Sequence, residues 1–268
     1  MAGEALPRCI YCCDWFGRLH CVSPPDFLAI CTNEADDYNS DSKVWDTHTG
    51  EIRYTLQHDH IVRAIAYPPH DSEMLATGGF EKKLRIFDLA EEKPRPSSPS
   101  PNALLEPVTI PTSAAFEIGV GVHKDSIKFI VWTRHSTTII TASGNTLRWF
   151  DIPNRSCVKE EVLDGEIKSC ELVSLAESYS EPSDIGDGLP VLAVAAGKTV
   201  YFWGGQQNDK EIKRFKLNHG VASVGLDLKG RKFVVGEEPG TWVRVYSWED
   251  AKEIGKCFVT CIRLGRCS

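Results

Sequence analysis

The sequence lacks long hydrophobic runs and an excess of basic residues. No run of about 18 apolar residues occurs, so we expect no membrane-spanning helix. The net charge is −7 at pH 7, which does not favour a surface for nucleic acid. Residues Met1 to Arg8 lack a basic segment followed by an apolar one, so we expect no secretory signal. The expected location is the cytoplasm, with the nucleus as a second compartment.

Recognisable catalytic motifs are missing too. The sequence contains no nucleophile elbow, no phosphate-cradling glycine loop and no metal-binding histidine pair. We interpret Gly78-Gly79 and Gly204-Gly205 as turn glycines. We therefore predict no enzymatic activity, no catalytic residue and no cofactor.

Cysteine is plentiful, but its spacing does not favour a metal. The chain has 10 cysteines, and Cys9-x-x-Cys12 could supply half of a zinc site. No second cysteine pair or histidine pair stands at the spacing of a zinc finger. Free thiols are the default in a reducing compartment, so we predict no metal site.

A repeated pattern is what the sequence does contain. Lys43-Val44-Trp45-Asp46 and Arg85-Ile86-Phe87-Asp88 each place a basic, an apolar and an aromatic residue before an aspartate. The two copies lie about 42 residues apart, which is the period of a four-stranded blade of WD type. Apolar strands at Ile61 to Tyr67 and Met74 to Thr77 lie between them. The predicted fold is all-β, a WD-repeat β-propeller.

The pattern divides the chain into unequal parts. We predict about four good blades and one partial blade, so that a ring would be incomplete. The segments are a divergent N-terminal part with a candidate partial blade (residues 1–40), the WD-repeat blades (41–250), a Pro/Ser-rich loop within them (90–114) and a divergent basic tail (251–268). Prolines lack a backbone donor, so we expect the loop to form no strand.

Six residues are predicted to hold the blades together. They occupy the Trp-Asp positions or the position before an inner strand: Trp45, Asp46, His58, Asp88, Asp151 and Trp203. A histidine at the position of His58 typically ties one strand to the next turn, although His58 and His60 also alternate as metal ligands can. Glu81 stands where an aspartate is usual, which predicts a weaker hydrogen-bond network.

A second set of residues is predicted to face partners. The candidate interaction rim consists of Lys82, Lys83, Arg85, Glu237, Glu238 and Trp242. Glu237 and Glu238 are expected to project from the turn Gly236 to Gly240. Lysines and arginines also cluster at Lys210 to Lys216, but no aromatic platform is interleaved with either basic cluster, so direct RNA binding is not expected.

Several longer stretches carry a family resemblance. Over roughly three quarters of its length the chain resembles the serine-threonine kinase receptor-associated proteins, also called unr-interacting proteins, in their fungal-type form. The resembling stretches are Lys43 to Gly50, Leu56 to Arg63, Gly165 to Leu172, Val191 to Lys198 and Val234 to Trp242. The chain departs from the family at residues 1–40 and at Lys252 to Ser268, which replace end blades, so we expect a form shortened at both ends.

The resemblance implies a seven-bladed propeller without catalysis. It implies an adaptor of the survival-of-motor-neuron complex, which loads Sm proteins onto small nuclear RNAs and so serves RNA splicing. Partners would then be subunits of the Sm-core assembly complex and, in animals, a receptor kinase.

Two alternatives remain open at this point. One is a subunit of translation initiation factor 3, similar to its WD-repeat subunit I, with translation factors as partners. The other is a propeller enzyme with Glu237, Glu238 and Asp187 as acid-base residues; loss of turnover on Glu237→Gln would support it.

Overall fold

The computed structural model describes residues 41–69, 71, 73–90, 107–175 and 184–258, and the backbone of residues 20–22 and 27–31. The chain forms two compact units, residues 1–162 and residues 163–268. The described part of the chain contains no helix with the length and apolar character needed to cross a bilayer. The predicted half-site Cys9-x-x-Cys12 lies outside the described residues.

The first unit consists of strands and one short turn of 3-10 helix (Thr112–Ala114). Its strands are β1 (His20–Val22), β2 (Phe27–Cys31), β3 (Ser42–Asp46), β4 (Ile52–Leu56), β5 (Val62–Ala66), β6 (Met74–Gly79), β7 (Leu84–Asp88), β8 (Val108–Ile110), β9 (Phe116–Ile118), β10 (Ile127–Trp132), β11 (Thr138–Ser143), β12 (Thr146–Asp151) and β13 (Ser156–Val162).

These strands form three sheets, with the orders β1-β2-β3-β4-β8, β5-β6-β7-β9 and β10-β11-β12-β13. Neighbouring strands are antiparallel, except that β8 runs parallel to β4. Ser143 pairs with Thr146 across a two-residue turn, in which Gly144 has a φ of 60°. Glycine adopts that φ without strain, which suits the tight turn.

The second unit contains two antiparallel sheets of four strands. Its strands are β14 (Ile167–Val173), β15 (Val191–Ala196), β16 (Thr199–Gly204), β17 (Lys210–Lys216), β18 (Gly220–Asp227), β19 (Lys232–Glu238), β20 (Trp242–Ser247) and β21 (Glu253–Phe258). The sheet orders are β14-β15-β16-β17 and β18-β19-β20-β21. Sequential four-stranded antiparallel sheets are the blades of a propeller, so the predicted all-β fold class is confirmed.

The sheets pack face to face within each unit. In the first unit Leu75 and Phe87 of β6 and β7 share one apolar cluster with Val44 of β3, and Ile86 shares another with Phe150 of β12. The indole N–H of Trp132 donates to the Ala66 carbonyl at 2.9 Å and ties β10 to β5. Each fully buried large apolar side chain contributes about 1.5–3 kcal/mol, so these clusters account for the layered packing.

The fourth strand of each sheet comes later in the chain than the repeat pattern implies. Phe116–Ile118 pairs with β7 and completes its sheet, although residues 89–115 separate the two strands along the chain. Lys210–Lys216 likewise pairs with β16 and completes its sheet.

Three local predictions were wrong. The loop of residues 90–114 contains a strand, since β8 pairs with β4 and Ile110 is buried. Gly78 and Gly79 end strand β6, and the turn follows at Phe80 and Glu81. Glycine is required at position 79 because a Cβ there would overlap the Ile61 carbonyl oxygen. Glu237 and Glu238 lie in β19 and do not project from a turn.

Candidate interaction surface

The aspartates at the Trp-Asp positions close the turns that follow the third strands. Asp46 accepts hydrogen bonds from the N–H groups of His48 (2.9 Å) and Thr49 (3.0 Å). Asp88 accepts one from the N–H of Ala90 at 2.9 Å, and Asp151 accepts bonds from the backbone and side-chain amides of Asn154. Aspartate forms such turns because its short side chain reaches the backbone two or three residues ahead.

Arg53 adds a charged contact to the first of these turns. Its Nη2 lies 2.8 Å from Oδ2 of Asp46. The pKa of Asp46 is lowered to about 2. The hydrogen bond from the Arg53 guanidinium is the largest cause, and the N–H of Thr49 is the second largest. Trp45 is half-buried in β3, whereas Trp203 is buried in β16 and stacks on Tyr201 with ring centroids 5.5 Å apart.

His58 lies buried between the first and second sheets. Its Nδ1 lies 3.0 Å from the Leu56 carbonyl oxygen, and its Nε2 lies 3.0 Å from Oγ1 of Thr77. A carbonyl can only accept, so Nδ1 carries the proton and Nε2 accepts from the threonine hydroxyl. Burial lowers the pKa of His58 to about 4, so the imidazole is neutral at pH 7. These contacts tie strand to turn; the side chain of His60 is exposed.

The sequence prediction missed two equivalent histidines. Nε2 of His123 lies 2.9 Å from Oγ1 of Thr141, and Nε2 of His219 lies 2.8 Å from the Tyr246 hydroxyl. Burial lowers the pKa of His123 to about 4 as well. Both precede the inner strand of a sheet, as His58 does, so their position relative to that strand was the signal that could have identified them.

The buried histidines predict a pH-dependent stability. The folded-state pKa of His58, about 4, lies below the ordinary histidine pKa of about 6.5, so the unfolded chain binds the proton first as the pH falls. Stability is then complete above about pH 6.5 and decreases toward pH 4. We expect His58 to contribute a loss of about 2 kcal/mol between pH 7 and pH 5. Urea unfolding at both pH values measures it.

Two variants isolate this contribution. His58→Gln should show a smaller decrease between pH 7 and pH 5, because glutamine does not titrate. His48→Gln, at an exposed position, should keep the pH dependence of the unchanged protein. An unchanged slope in His58→Gln would contradict the assignment.

Arg85 does not belong to a solvent-facing cluster. Its side chain is 7% exposed and forms an ion pair with Glu81, itself 8% exposed. Oε1 of Glu81 also accepts the N–H groups of Asp59 (2.9 Å) and His60 (3.2 Å). Glu81 therefore links strand β7 to the segment before β5. The glutamate side chain reaches both the guanidinium and the backbone.

Lys82 and Lys83 differ from Arg85. Both are exposed, and neither forms an ion pair with a residue that the structure describes. Phe80 lies beside them with 41% of its surface exposed, and the Arg63 guanidinium carbon is 4.1 Å from its ring centroid. We call Arg63, Phe80, Lys82 and Lys83 the Phe80 patch. An aromatic ring does accompany this basic cluster, contrary to the sequence expectation.

The acidic half of the predicted rim is mostly engaged in ion pairs. Oε2 of Glu237 lies 2.9 Å from Nη2 of Arg244, and Oε1 of Glu238 lies 3.6 Å from Nζ of Lys168. Trp242 is 37% exposed, with Nζ of Lys256 5.2 Å from its ring centroid. Trp242 and Lys256 therefore remain accessible, while the Glu237 carboxylate is held by an arginine within the sheet.

The basic cluster at Lys210 to Lys216 is partly used inside the second unit. Nζ of Lys213 donates to the carbonyl oxygens of Trp248 (2.6 Å) and Glu249 (3.0 Å). Arg214 forms an ion pair with Glu211, which leaves Lys210 and Lys216 as exposed lysines.

The metal-binding and thiol residues were the remaining candidates for chemistry in the described ranges. Groups of three or more histidine, cysteine or acidic residues that could hold a metal do not occur among the described residues. Burial raises the pKa of the Cys157 thiol and raises that of Cys170 to about 12. Both thiols are therefore weak nucleophiles at pH 7.

Known proteins resemble this chain in sequence or in fold. No protein-family model matches the chain. The serine-threonine kinase receptor-associated protein of Gallus gallus is 27% identical over 197 residues, which is 74% of this chain and 46% of that protein. The protein of the same name from Dictyostelium discoideum is 28% identical over 213 residues, or 79% of this chain and 60% of its own.

The chain is related to the serine-threonine kinase receptor-associated proteins. The resemblance stated from the motifs is thus confirmed. The chain spans about half the length of the curated relatives it matches. The β-propeller domain of Cps50 (Swd1) from Myceliophteria thermophila superimposes with a TM-score of 0.61 at 12% identity, covering 87% of this chain and 69% of that one. This likeness shows the propeller fold alone.

Relationship to the serine-threonine kinase receptor-associated proteins fits the geometry of the described residues. The sheets are held by buried histidines and turn aspartates, and the exposed features are turns and outer strands. Rigid sheets that present turns are suited to binding other proteins, as WD-repeat propellers do.

Proposed function

We propose that this chain is a non-catalytic WD-repeat scaffold that takes part in assembling small nuclear ribonucleoproteins. In this role it binds subunits of the survival-of-motor-neuron complex in the cytoplasm, with access to the nucleus. The observation that carries the proposal is the rigid turn between β6 and β7, which presents Phe80, Lys82 and Lys83 to solvent above a buried network. The resembling stretches Gly165 to Leu172 and Val234 to Trp242 support the same role.

The absence of chemistry is part of the proposal. Glu237, a candidate acid-base residue, forms an ion pair with Arg244. The pKa of Arg244 is raised, most by Glu237 and less by Glu253. A carboxylate that is paired in this way is suited to holding strands together. The described turns offer surface for partners, and this is what a scaffold needs.

Affinity purification of the tagged chain from its own host tests the proposal. We expect Sm proteins and other subunits of the Sm-core assembly complex to co-purify. Phe202→Ala, which removes a buried ring from the second unit, serves as the control for capture through unfolded chain. Recovery of chaperonins and heat-shock proteins alone would overturn the proposal. Recovery of initiation-factor-3 subunits would replace it with the translation alternative, and recovery of a receptor kinase alone with a signalling role.

A further inference from the structure

We propose that the Phe80 patch is a docking site for a short acidic peptide segment of a partner protein, one that carries an apolar side chain between its carboxylates. The inference rests on the proposed scaffold function and specifies the chemistry of one partner contact. The patch combines an exposed ring with three cations, Arg63, Lys82 and Lys83.

The turn that carries the patch is fixed in place. The N–H of Phe80 donates to the Ile61 carbonyl at 3.0 Å, and the N–H of Lys82 donates to the Gly79 carbonyl at 3.1 Å. Below the turn, Glu81 is pinned by Arg85 and by the N–H groups of Asp59 and His60. The patch is thus ordered before any partner arrives, which reduces the entropy cost of binding.

The Phe80 ring is partly open to solvent. Phe80 is 41% exposed, whereas Phe87 and Phe150 of the same unit are completely buried. Arg63 stacks on the ring at 4.1 Å and holds it in one orientation. Exposed aromatic residues flanked by arginine are enriched where proteins bind partners. The ring can therefore receive an apolar side chain.

The charges around the ring are unbalanced. Glu81 neutralises Arg85, so Arg63, Lys82 and Lys83 remain as cations around Phe80. Neither lysine has an ion-pair partner among the described residues. This local excess occurs on a chain with a net charge of −7. A complementary ligand carries carboxylates at the lysines and an apolar group at the ring.

A peptide fits this surface better than a nucleic-acid strand does. Asp59 lies near the patch, with its side chain 72% exposed and 3.6 Å from Arg85, and it repels any anionic ligand. A strand of RNA carries a phosphate at every nucleotide and extends that repulsion beyond the patch, over a chain whose net charge is −7. A peptide with two carboxylates needs only Lys82 and Lys83.

Fluorescence anisotropy with the full chain tests the site. The probe is a short fluorescein-labelled peptide that alternates glutamate and leucine. We expect Lys82→Glu with Lys83→Glu to weaken its binding by about tenfold or more, and Phe80→Ala by about fivefold to tenfold. The affinity should also fall as salt is added, because the lysines are exposed.

The control is Lys210→Glu with Lys216→Glu, which changes the net charge equally at two exposed lysines of the second unit. It should leave the affinity within about twofold, since it alters no part of the patch. Replacing the peptide's glutamates by glutamine should abolish binding. Thermal unfolding of each variant verifies folding, and we expect the midpoints to stay close to that of the unchanged chain.

Three outcomes would overturn the inference. One is no binding of the peptide by the unchanged chain, and another is equal weakening in both double variants. The third is tighter binding of a poly(U) oligonucleotide that depends on the same residues, which would identify the patch as an RNA site. Failure here with Sm proteins still co-purifying removes the docking site only, whereas loss of co-purification removes the proposed function.

Discussion

Replacing Phe202 with alanine is expected to lower the free energy of unfolding by about 3–5 kcal/mol. Phe202 is completely buried, and its ring centroid lies 4.9 Å from that of Trp248 and 5.7 Å from that of Phe233. Alanine removes these edge-to-face contacts and leaves a cavity between β16 and the last sheet, because Phe233 is held in β19 and the N–H of Trp248 is bonded to the Arg231 carbonyl. Since small domains are stable by only about 5–15 kcal/mol, this loss threatens folding of the second unit.

Urea unfolding followed by tryptophan fluorescence measures this effect. The matched control is Phe80→Ala, the same substitution at a ring that is 41% exposed. It should cost less than about 1 kcal/mol, chiefly the contact with Arg63. Phe202→Leu should cost about 1.5 kcal/mol or less, because leucine fills most of the space. Equal losses for the two alanine variants would contradict the role assigned to the aromatic cluster.

The middle strands of the sheets could be predicted from the sequence because they are buried on both faces. All six residues of β11, β15 and β16 are buried, and such strands appear as continuous apolar runs. A local pattern was sufficient here because burial alone selects apolar, β-branched and aromatic residues.

The outer strands could not be predicted in the same way. In β13 and β17 every second residue is exposed and the others are only half-buried. The sequence of β17, Lys-Glu-Ile-Lys-Arg-Phe-Lys, therefore resembles a charged surface segment. Its strand conformation comes from hydrogen bonds to β16, a tertiary contact that no local window contains.

In the candidate site, too, the local sequence shows some features, whereas others depend on tertiary contacts. The basic cluster after Phe80 was visible in the sequence, but the distinction between Arg85 and its two lysine neighbours was not. Arg85 is buried in β7 together with Leu84, Ile86 and Phe87, and only the position of Glu81 beneath the turn decides that its charge is neutralised. The neighbouring role of Arg63 was equally hidden, because it reaches Phe80 from strand β5.

Replacing Glu81 with alanine is expected to lower the free energy of unfolding by about 3–5 kcal/mol. The substitution leaves the Arg85 guanidinium 7% exposed without the carboxylate beside it. Asp59, whose side chain lies 3.6 Å from Arg85, is 72% exposed and compensates poorly. The N–H groups of Asp59 and His60 also lose their acceptor. Glu81→Gln keeps an oxygen for these N–H groups and should cost less than Glu81→Ala.

The control for this prediction is Glu211→Ala. Arg214 is 58% exposed in its pair with Glu211, so this ion pair should contribute less than about 1 kcal/mol. Added salt should weaken the pair further, whereas the buried pair of Arg85 and Glu81 should be nearly insensitive to it. Comparable losses for Glu81→Ala and Glu211→Ala would contradict the argument from burial.

A double variant distinguishes the free-energy cost of an unpaired buried charge from the contribution of the ion pair itself. Combining Glu81→Leu with Arg85→Met removes both charges and replaces them with apolar groups of similar length. We expect this variant to recover at least half of the loss caused by Glu81→Leu alone, because a buried charge without a partner costs more than the pair contributes. If the double variant is as unstable as Glu81→Leu alone, the acceptor role of Glu81 toward Asp59 and His60 dominates. In that case the turn that carries Phe80 is stabilised mainly by the hydrogen bonds from the N–H groups of Asp59 and His60 to Glu81, and the ion pair with Arg85 contributes less.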